Sequence, residues 1–545
     1  MLRRFRLIAS IAAVLLCLDA QSRDATASAD RLVPLAQGLH WPHVSSLVGY
    51  AGKLWFANSR KYVNHNSADI WSYDPATGKA RYERHLMSQD AGDPVVHNGL
   101  LYWPFEDSRF SAGRGEFMVT NGRDWRWGLM PEGRAFHVHA MTSSGGKLYA
   151  APSAWVARLQ SSDDGGTNWK QLYEHPTPER RVSRITALAD FNGTLYGGLV
   201  AWYRSNGAKL LRWNGSTFEQ VPGWPEGSAV PRLASFKGWL YGVNIAGDRS
   251  TLWRTNRLRV ERATRIFSRS IQGMAVGEDQ MWIASAQGDD GQLWHSPDGL
   301  RWSLYQKFPG IKLHGVQVLD GEVYVGAAGK DGGMLFGPPP AGVPTGPAGD
   351  LSLGEPPPRA LPRARPLPGT DPDIALAELE KTLMDARGYD RGLRLRFTPL
   401  ALSDDPNIGA ALGELLTRDF PDAEGKMFGG RKFPAARMAR WYALWAMAHN
   451  GNGKVPVDLI SAPWQAPQND AEKYFESPPA AAWAAAEIGQ NDPATLEALI
   501  GRLNRDGDPD WLKGDMIGAL TVLTGQRFAY DVAAWKRWWA ENRKR

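Results

Sequence analysis

A mainly β plus α fold is predicted: a seven-bladed β-propeller followed by a small all-helical domain. Three observations carry it. A turn with Gly or Asp, then an apolar residue, then an aromatic recurs seven times, with the aromatics at Trp55, Tyr102, Tyr149, Tyr196, Tyr241, Trp282 and Tyr324. Their spacings of 47, 47, 47, 45, 41 and 42 residues match the length of a four-stranded blade. The chain holds 24 Trp and 58 Gly in 545 residues; blades use aromatics between sheets and glycines in tight turns. Beyond a Pro-rich stretch, apolar residues recur at helical rather than strand spacing.

Residues 1–29 read as an export signal. Arg3, Arg4 and Arg6 precede an apolar run at 7–18, which is too short to span a bilayer. Ala25-Thr26-Ala27 and Ala27-Ser28-Ala29 are usable cleavage sites. A periplasmic or secreted protein is expected, with no membrane association after signal cleavage. Cys17, the only Cys, would leave with the signal, and with it disulfides, Cys-ligated metal and a Cys nucleophile. The formal charge of +6 falls to about +4 without residues 1–29, too mild to argue for nucleic acid.

The propeller is placed at 30–337. In its third unit, strands are expected at 137–141, 148–151, 158–161 and 168–173, from alternation with a period of two. The seventh unit is short: one more strand, 333–336, precedes Pro338, Pro339 and Pro340. Residues 32–37 are expected to supply its outer strand and close the ring, which protects the sheet edges. A stiff, basic, Pro-rich linker spans 338–372. Few contacts are expected to cross it, so that the two parts fold independently. Within 373–545, helices are expected at 373–387, 408–418, 434–449, 479–489, 493–504 and 532–542. Asp371, Asp492 and Asp531 suit N-caps, and Pro493 suits a first helical position.

Ser162, Asp164, Gly166 and Trp169 share one spacing, and Ser296, Asp298, Gly299 and Trp302 form a version one residue shorter. This resembles the Asp-box of sialidase-type propellers. The resemblance implies a structural hairpin between outer strands, away from the active face. The sialidase Phe-Arg-Ile-Pro phrase is absent, which counts against sialidase chemistry. The Ala-rich stretch 480–489 with 496–500, and the ending from Leu520 to Trp539, resemble HEAT-type repeats and the cap that closes such solenoids. A HEAT-like domain implies protein contact, or else a packing module with no partner.

One face of a propeller collects the loops joining second to third strands and blade to blade. The repeat register places these at 58–66, 106–115, 88–93 and 132–137, longer and more polar than a hairpin requires. Arg60, Lys61, Arg109, Arg114 and Arg134 fall on that face, with Arg184, Arg204, Arg269 and Lys312. A concave face of one sign attracts the opposite charge, and Arg grips carboxylate or sulfate bidentately. Alternatively these cations are solvated or paired with Asp90, Asp93, Glu106 and Asp107. The expected partner is an acidic glycan or other anionic ligand. Its expected binding residues are Arg60, Lys61, Asn66, Glu106, Asp107, Arg109, Arg114, Arg134 and His139.

His137 and His139 project to one side of a strand, with His65 in a neighbouring loop. They form a metal or proton-transfer site, or are structural, hydrogen-bonded histidines. Two classes of function follow. The first is a ligand-binding or scaffold protein with a helical tail for protein contact. The alternative is a polysaccharide-acting enzyme, a β-eliminating lyase before a glycosidase, with Tyr62, His65 and His137 as catalytic residues. Several polysaccharide lyase families are similar seven-bladed propellers that use His, Tyr and Arg. The separation of Asp93, Glu106 and Asp107 would decide a glycosidase. No cofactor or resident metal is expected: the chain has no phosphate loop, dinucleotide fingerprint or nucleophile elbow.

Overall fold

The computed structural model describes residues 32–60, 66–108, 115–130, 135–179, 181–201, 207–264, 270–340, 371–384, 393–403, 405–419, 424–426, 432–464 and 476–543. Alternating burial builds the strands, as in Ser270–Val276, where every second side chain is buried. Among the described residues, 29 strands lie between Val33 and Gly337. They form a β-propeller of four four-stranded sheets, one five-stranded sheet and one eight-stranded sheet.

Five sheets thus stand apart, rather than the seven expected. The eight-stranded sheet holds His43–Tyr50, Lys53–Ser59, Ala68–Asp74 and Lys79–His85 together with Lys312–Leu319, Glu322–Gly329, Gly332–Gly337 and Val33–Leu39. The two sets meet at the pair His43 and Ala328. The expected closure is present. Val33–Leu39 runs antiparallel to Gly332–Gly337, with Val33 opposite Gly337 and Leu39 opposite Gly333. The Leu32 N–H donates to Gln306 Oε1 at 2.9 Å, and Gln306 Nε2 donates back to the Leu32 carbonyl at 3.2 Å. Gly332 has φ 128°, and a Cβ there would lie 2.1 Å from the Leu39 carbonyl oxygen.

The outer hairpins share one device. Asp74, Asn121, Asp164, Asn214, Asn256 and Asp298 each accept backbone N–H groups from just ahead in the chain, a local alternative to ladder bonding that makes a turn. At 162–169, Ser162 Oγ donates to Asp164 Oδ1 at 2.8 Å and accepts the Gly166 N–H at 2.8 Å. Trp169 Nε1 donates to the Gly166 carbonyl at 3.1 Å. Trp302 repeats this on Gly299 at 3.2 Å.

Nine helices follow among the described residues: α1 Pro372–Met384, α2 Leu393–Ala401, α3 Pro406–Thr417, α4 Ala435–Asn450, α5 Val457–Ser461, α6 Ser477–Ile488, α7 Pro493–Arg502, α8 Asp510–Thr524 and α9 Val532–Asn542. Asp492 and Asp531 cap α7 and α9 as expected, and the Asp371 carboxylate accepts the Asp373 N–H at 2.9 Å. Helices α2, α5 and α8 were not expected. Helix α4 is central, with Trp441 and Trp445 buried. The buried alanines of α6 let that helix lie against both α4 and α8.

The expectation of few contacts across the linker is overturned. A single apolar cluster includes Tyr82, Leu86, Phe105 and Trp127 of the propeller together with Trp445, Trp483 and Met516 of the helices. Trp127 meets Trp483 with ring centroids 4.6 Å apart. Arg84 pairs with Glu487, and Arg527 Nη1 bonds Glu83 Oε2 and the Tyr82 carbonyl, each at 2.9 Å. The stiffness of a linker governs how far its ends reach. It does not decide whether the bodies it joins carry complementary faces.

Candidate functional site

Inner strands set the site. His43–Tyr50, His137–Ser144, Ser183–Phe191, Ala229–Phe236, Ser270–Val276 and Lys312–Leu319 each shift register near their start against the second strand. Such bulges re-aim side chains. Ser46, His139, Thr186, Gln272 and His314 fall in these shifts. Two of them tie one sheet to the next: Ser46 Oγ donates to the Ala91 carbonyl at 2.9 Å, and Thr186 Oγ1 to the Val230 carbonyl at 3.4 Å.

Basic and imidazole groups gather at this end. The rings of His137 and His139 stack with centroids 4.8 Å apart. His139 Nε2 lies 3.0 Å from Ser153 Oγ. Burial, then the charges of His137 and Arg184, push the His139 imidazole well below the usual histidine range, so it is neutral at neutral pH. His43 and His314 meet with centroids 4.6 Å apart. Asp93 bridges by its backbone to Ala140 and pairs by its carboxylate with Arg232. Arg232 Nε also donates to the Gln272 carbonyl at 3.4 Å.

The sequence-predicted residues divide into three groups. Lys61, Tyr62, His65, Arg109, Arg114, Arg134, Arg204 and Arg269 lie outside the described residues, as do the signal at 1–29 and the linker at 341–370. His137 and His139 stand together, with their rings stacked at the register shift of their strand. Arg60 is exposed, and its N–H donates to the Ser67 carbonyl at 3.0 Å. Glu106 and Asp107 are half-buried, and Asp107 has φ 57°. Segments 88–91 and 106–108, expected as loops, are paired strands with Asp90 opposite Glu106.

Asn66, expected to face a ligand, is instead fully buried beneath α8. Its Nδ2 donates to Asp515 Oδ2 at 2.5 Å, and its Oδ1 lies 2.8 Å from His85 Nε2. His85 Nδ1 lies 2.7 Å from Asp69 Oδ1, and the Tyr530 hydroxyl donates to Asp69 Oδ2 at 2.9 Å. A second buried carboxylate, Glu116, accepts from Ser108 Oγ at 2.6 Å and faces Trp445 Nε1 at 3.4 Å and His449 Nε2 at 3.7 Å. The helices therefore cover part of the face assigned to ligand, over the outer strands of the first two units. Sequence reasoning missed Asp69, His85, Asp515 and Tyr530. The available signal was Gly514 and Gly518, spaced one turn apart in an apolar segment.

Among the described residues, no group of three or more His, Cys, Asp or Glu is placed to hold a metal ion. No helix among them is long and apolar enough to cross a membrane. No family model matches the chain, and no curated protein matches it. Several solved structures are similar to about half of the chain. The GH74 xyloglucanase of Xanthomonas campestris has 12% identity and a TM-score of 0.40, over 55% of this chain and 54% of that one. The extracellular domain of a one-component system from B. thetaiotaomicron has 13% identity and a TM-score of 0.41, over 56% of this chain and 40% of that one. The β-propeller domain of the Trilobed protease from Pyrococcus furiosus has 9% identity and a TM-score of 0.38, over 55% of this chain and 95% of that one. Likeness at this level carries no argument about activity.

Proposed function

We propose that the protein is an exported ligand-binding or scaffold protein whose propeller face, at the start of the inner strands, takes an anionic ligand, an acidic glycan. In this reading the eight-stranded sheet counts as two blades, bringing the ring at 30–337 to seven. The hairpins at Asp164 and Asp298 are Asp-boxes. The helices at 373–545 are HEAT-like and offer their outer surface to a protein partner. The observation that supports the reading is the gathering of His43, His137, His139, Arg184, Arg232 and His314 at one end of the inner strands. Arg184 supplies the net positive charge there, His139 being neutral and Arg232 paired with Asp93, and a cation in a low-dielectric cleft attracts an approaching anion. Lys61, Arg109, Arg114 and Arg134 lie outside the described residues, and in this reading they add to the attraction.

Replacing Arg184 by Ala, or Arg109 and Arg114 together, should weaken acidic-oligosaccharide binding about tenfold or more. Each charge-assisted contact contributes roughly 1.5–3 kcal/mol, and added salt should mimic the loss. Asp164→Ala should lower the thermal midpoint and leave affinity unchanged, because its turn sits at the other end of the strands. Incubation with uronate polymers separates binding from chemistry. Ultraviolet absorbance of an unsaturated product, lost in Tyr62→Phe or His137→Ala, would move the protein to the lyases. Failure of every acidic glycan to bind at low salt would sink the reading.

A further inference from the structure

The seat of the helices on the propeller is built around one imidazole. Helix α8 crosses His85 at Gly514 and Gly518. A Cβ at 514 would lie 2.7 Å from His85 Cε1, and one at 518 would lie 2.7 Å from His85 Cβ. The two glycines cut a notch in one face of α8, and the ring fills it. Gly is disfavoured in a helix interior relative to Ala, so the notch is held against local preference.

The hydrogen-bonding pattern around the ring admits one protonation state. Nδ1 faces a carboxylate oxygen of Asp69 at 2.7 Å. Nε2 faces the Asn66 amide oxygen at 2.8 Å and Asp515 Oδ1 at 3.5 Å. The Asn66 orientation is fixed, because its Nδ2 must donate to the Asp515 carboxylate. Both ring nitrogens therefore point at acceptors, and an imidazolium donates from both. A neutral ring would set a bare lone pair against an oxygen and leave two buried carboxylates without their counter-charge.

We infer that the seat of the helical region on the propeller is a proton-operated joint, closed by one proton held on His85 between Asp69 of the propeller and Asp515 of α8. Opening the joint at high pH releases that proton to solvent and frees α8 from the notch. The inference stands whether or not the neighbouring face binds an anion.

Every element packed on the ring contributes a titratable or charged group. Asp69 comes from the adjacent strand and Tyr82 from the ring's own strand, flanked by Glu83 and Arg84. Asp515 comes from α8, and Tyr530 and Arg527 from the segment after it. His40 follows the closing strand. It stacks on Tyr530 with centroids 3.5 Å apart and faces Asp510 at 3.3 Å, with Lys513 nearby. Burial alone would push the His85 imidazole down. Hydrogen bonds and charge from Asp515 and Asp69 outweigh burial and hold it at about 9, against an ordinary 6.5. Its contribution is therefore fully present below pH 6.5 and lost as pH rises through 9. His40 works on the other side. Burial lowers its pKa, so protonating it below its ordinary range loosens the same joint in acid.

Hydrogen exchange of the full chain between pH 6.5 and 9.5 tests the joint, with rates divided by intrinsic exchange. The opening equilibrium of α8 should rise roughly tenfold per pH unit between the two pKa values. The Trp239–Ala246 strand, in a separate sheet, should not respond. His85→Gln keeps a donor and an acceptor and should flatten the α8 response. If that variant fails to fold, Asp515→Asn serves in its place, because loss of one carboxylate should move the steep region to lower pH. Wild-type α8 protection that is flat with pH would overturn the inference. So would a wild-type slope kept in His85→Gln, or an unmoved steep region in Asp515→Asn.

Discussion

Asp298 holds a hairpin with one carboxylate. It accepts the N–H groups of Leu300 and Arg301 at 2.9 and 2.8 Å and the Arg301 side chain at 2.7 Å. The Arg301 N–H first, helped by those of Leu300 and the Arg301 guanidinium, keeps this carboxyl far below the usual range. Asp298→Ala should lower stability by about 1 kcal/mol, the scale of a lost cap. The contribution is present above the ordinary carboxylate pKa and lost as pH falls toward the depressed one. Denaturation at pH 7 and at pH 3 should therefore show the wild type's advantage over the variant shrinking in acid. Residues of this kind were legible in the sequence because donor and acceptor lie within four positions. Asn66 was not: its partner Asp515 is 449 residues away, and no local pattern marks it as buried. The placing of His137 and His139 on one side of their strand was legible from their i, i+2 spacing, but the stacking of their rings and the pairing of Asp93 with Arg232 across 139 residues were not.

Helix α8 is the element whose chemistry runs against its own propensity. Gly→Ala inside a helix ordinarily adds about 1 kcal/mol. At Gly514 and Gly518 the sign should reverse, with a loss of roughly 1–3 kcal/mol from overpacking against His85. Gly501 of α7, where a Cβ would meet nothing within 4 Å, is the internal control, and Gly501→Ala should stabilise. Thermal midpoints of the three variants check the pattern. The same two glycines hid α8 from the sequence reading, since they lower helical preference and the N-cap residue, Pro509, offers no side-chain cap. Helix α2 was hidden by an internal Pro399. Helix α7, announced by Asp492 and Pro493, was legible because its start is written in adjacent residues. The repeat of strands was legible for the same reason: each blade restates its turn and its aromatic.

At the scale of the molecule, the propeller and helices share a core that the sequence hid. Leu86, Met87 and Trp127 sit at the outer strands of the first two units, where the strand pattern alone reads as a solvent face. Their cover comes from Trp445 and Trp483, more than 300 residues on. Cleavage within 341–370 should therefore leave two pieces that co-elute on size exclusion. A chain ending at Pro340 should expose that apolar face, bind a hydrophobic dye and melt below the nicked protein. Separate elution of the nicked pieces, with unchanged melting of the truncated chain, would contradict a shared core.

The closing strand also carries a consequence for the order in which the chain can be finished. Val33–Leu39 pairs with Gly332–Gly337, and His40 just after it rests on Tyr530. A chain made from its N-terminus leaves that strand without its partner while about 300 further residues are added, roughly 15–60 s at ordinary rates of synthesis. Through that interval the unpaired edge is a template for wrong neighbours, and a contact of such long sequence separation is slow to form. Closure of the ring should therefore be a late and slow step in reaching the native state. Closure waits for residues 332–337, so the ring cannot be finished blade by blade as the chain emerges.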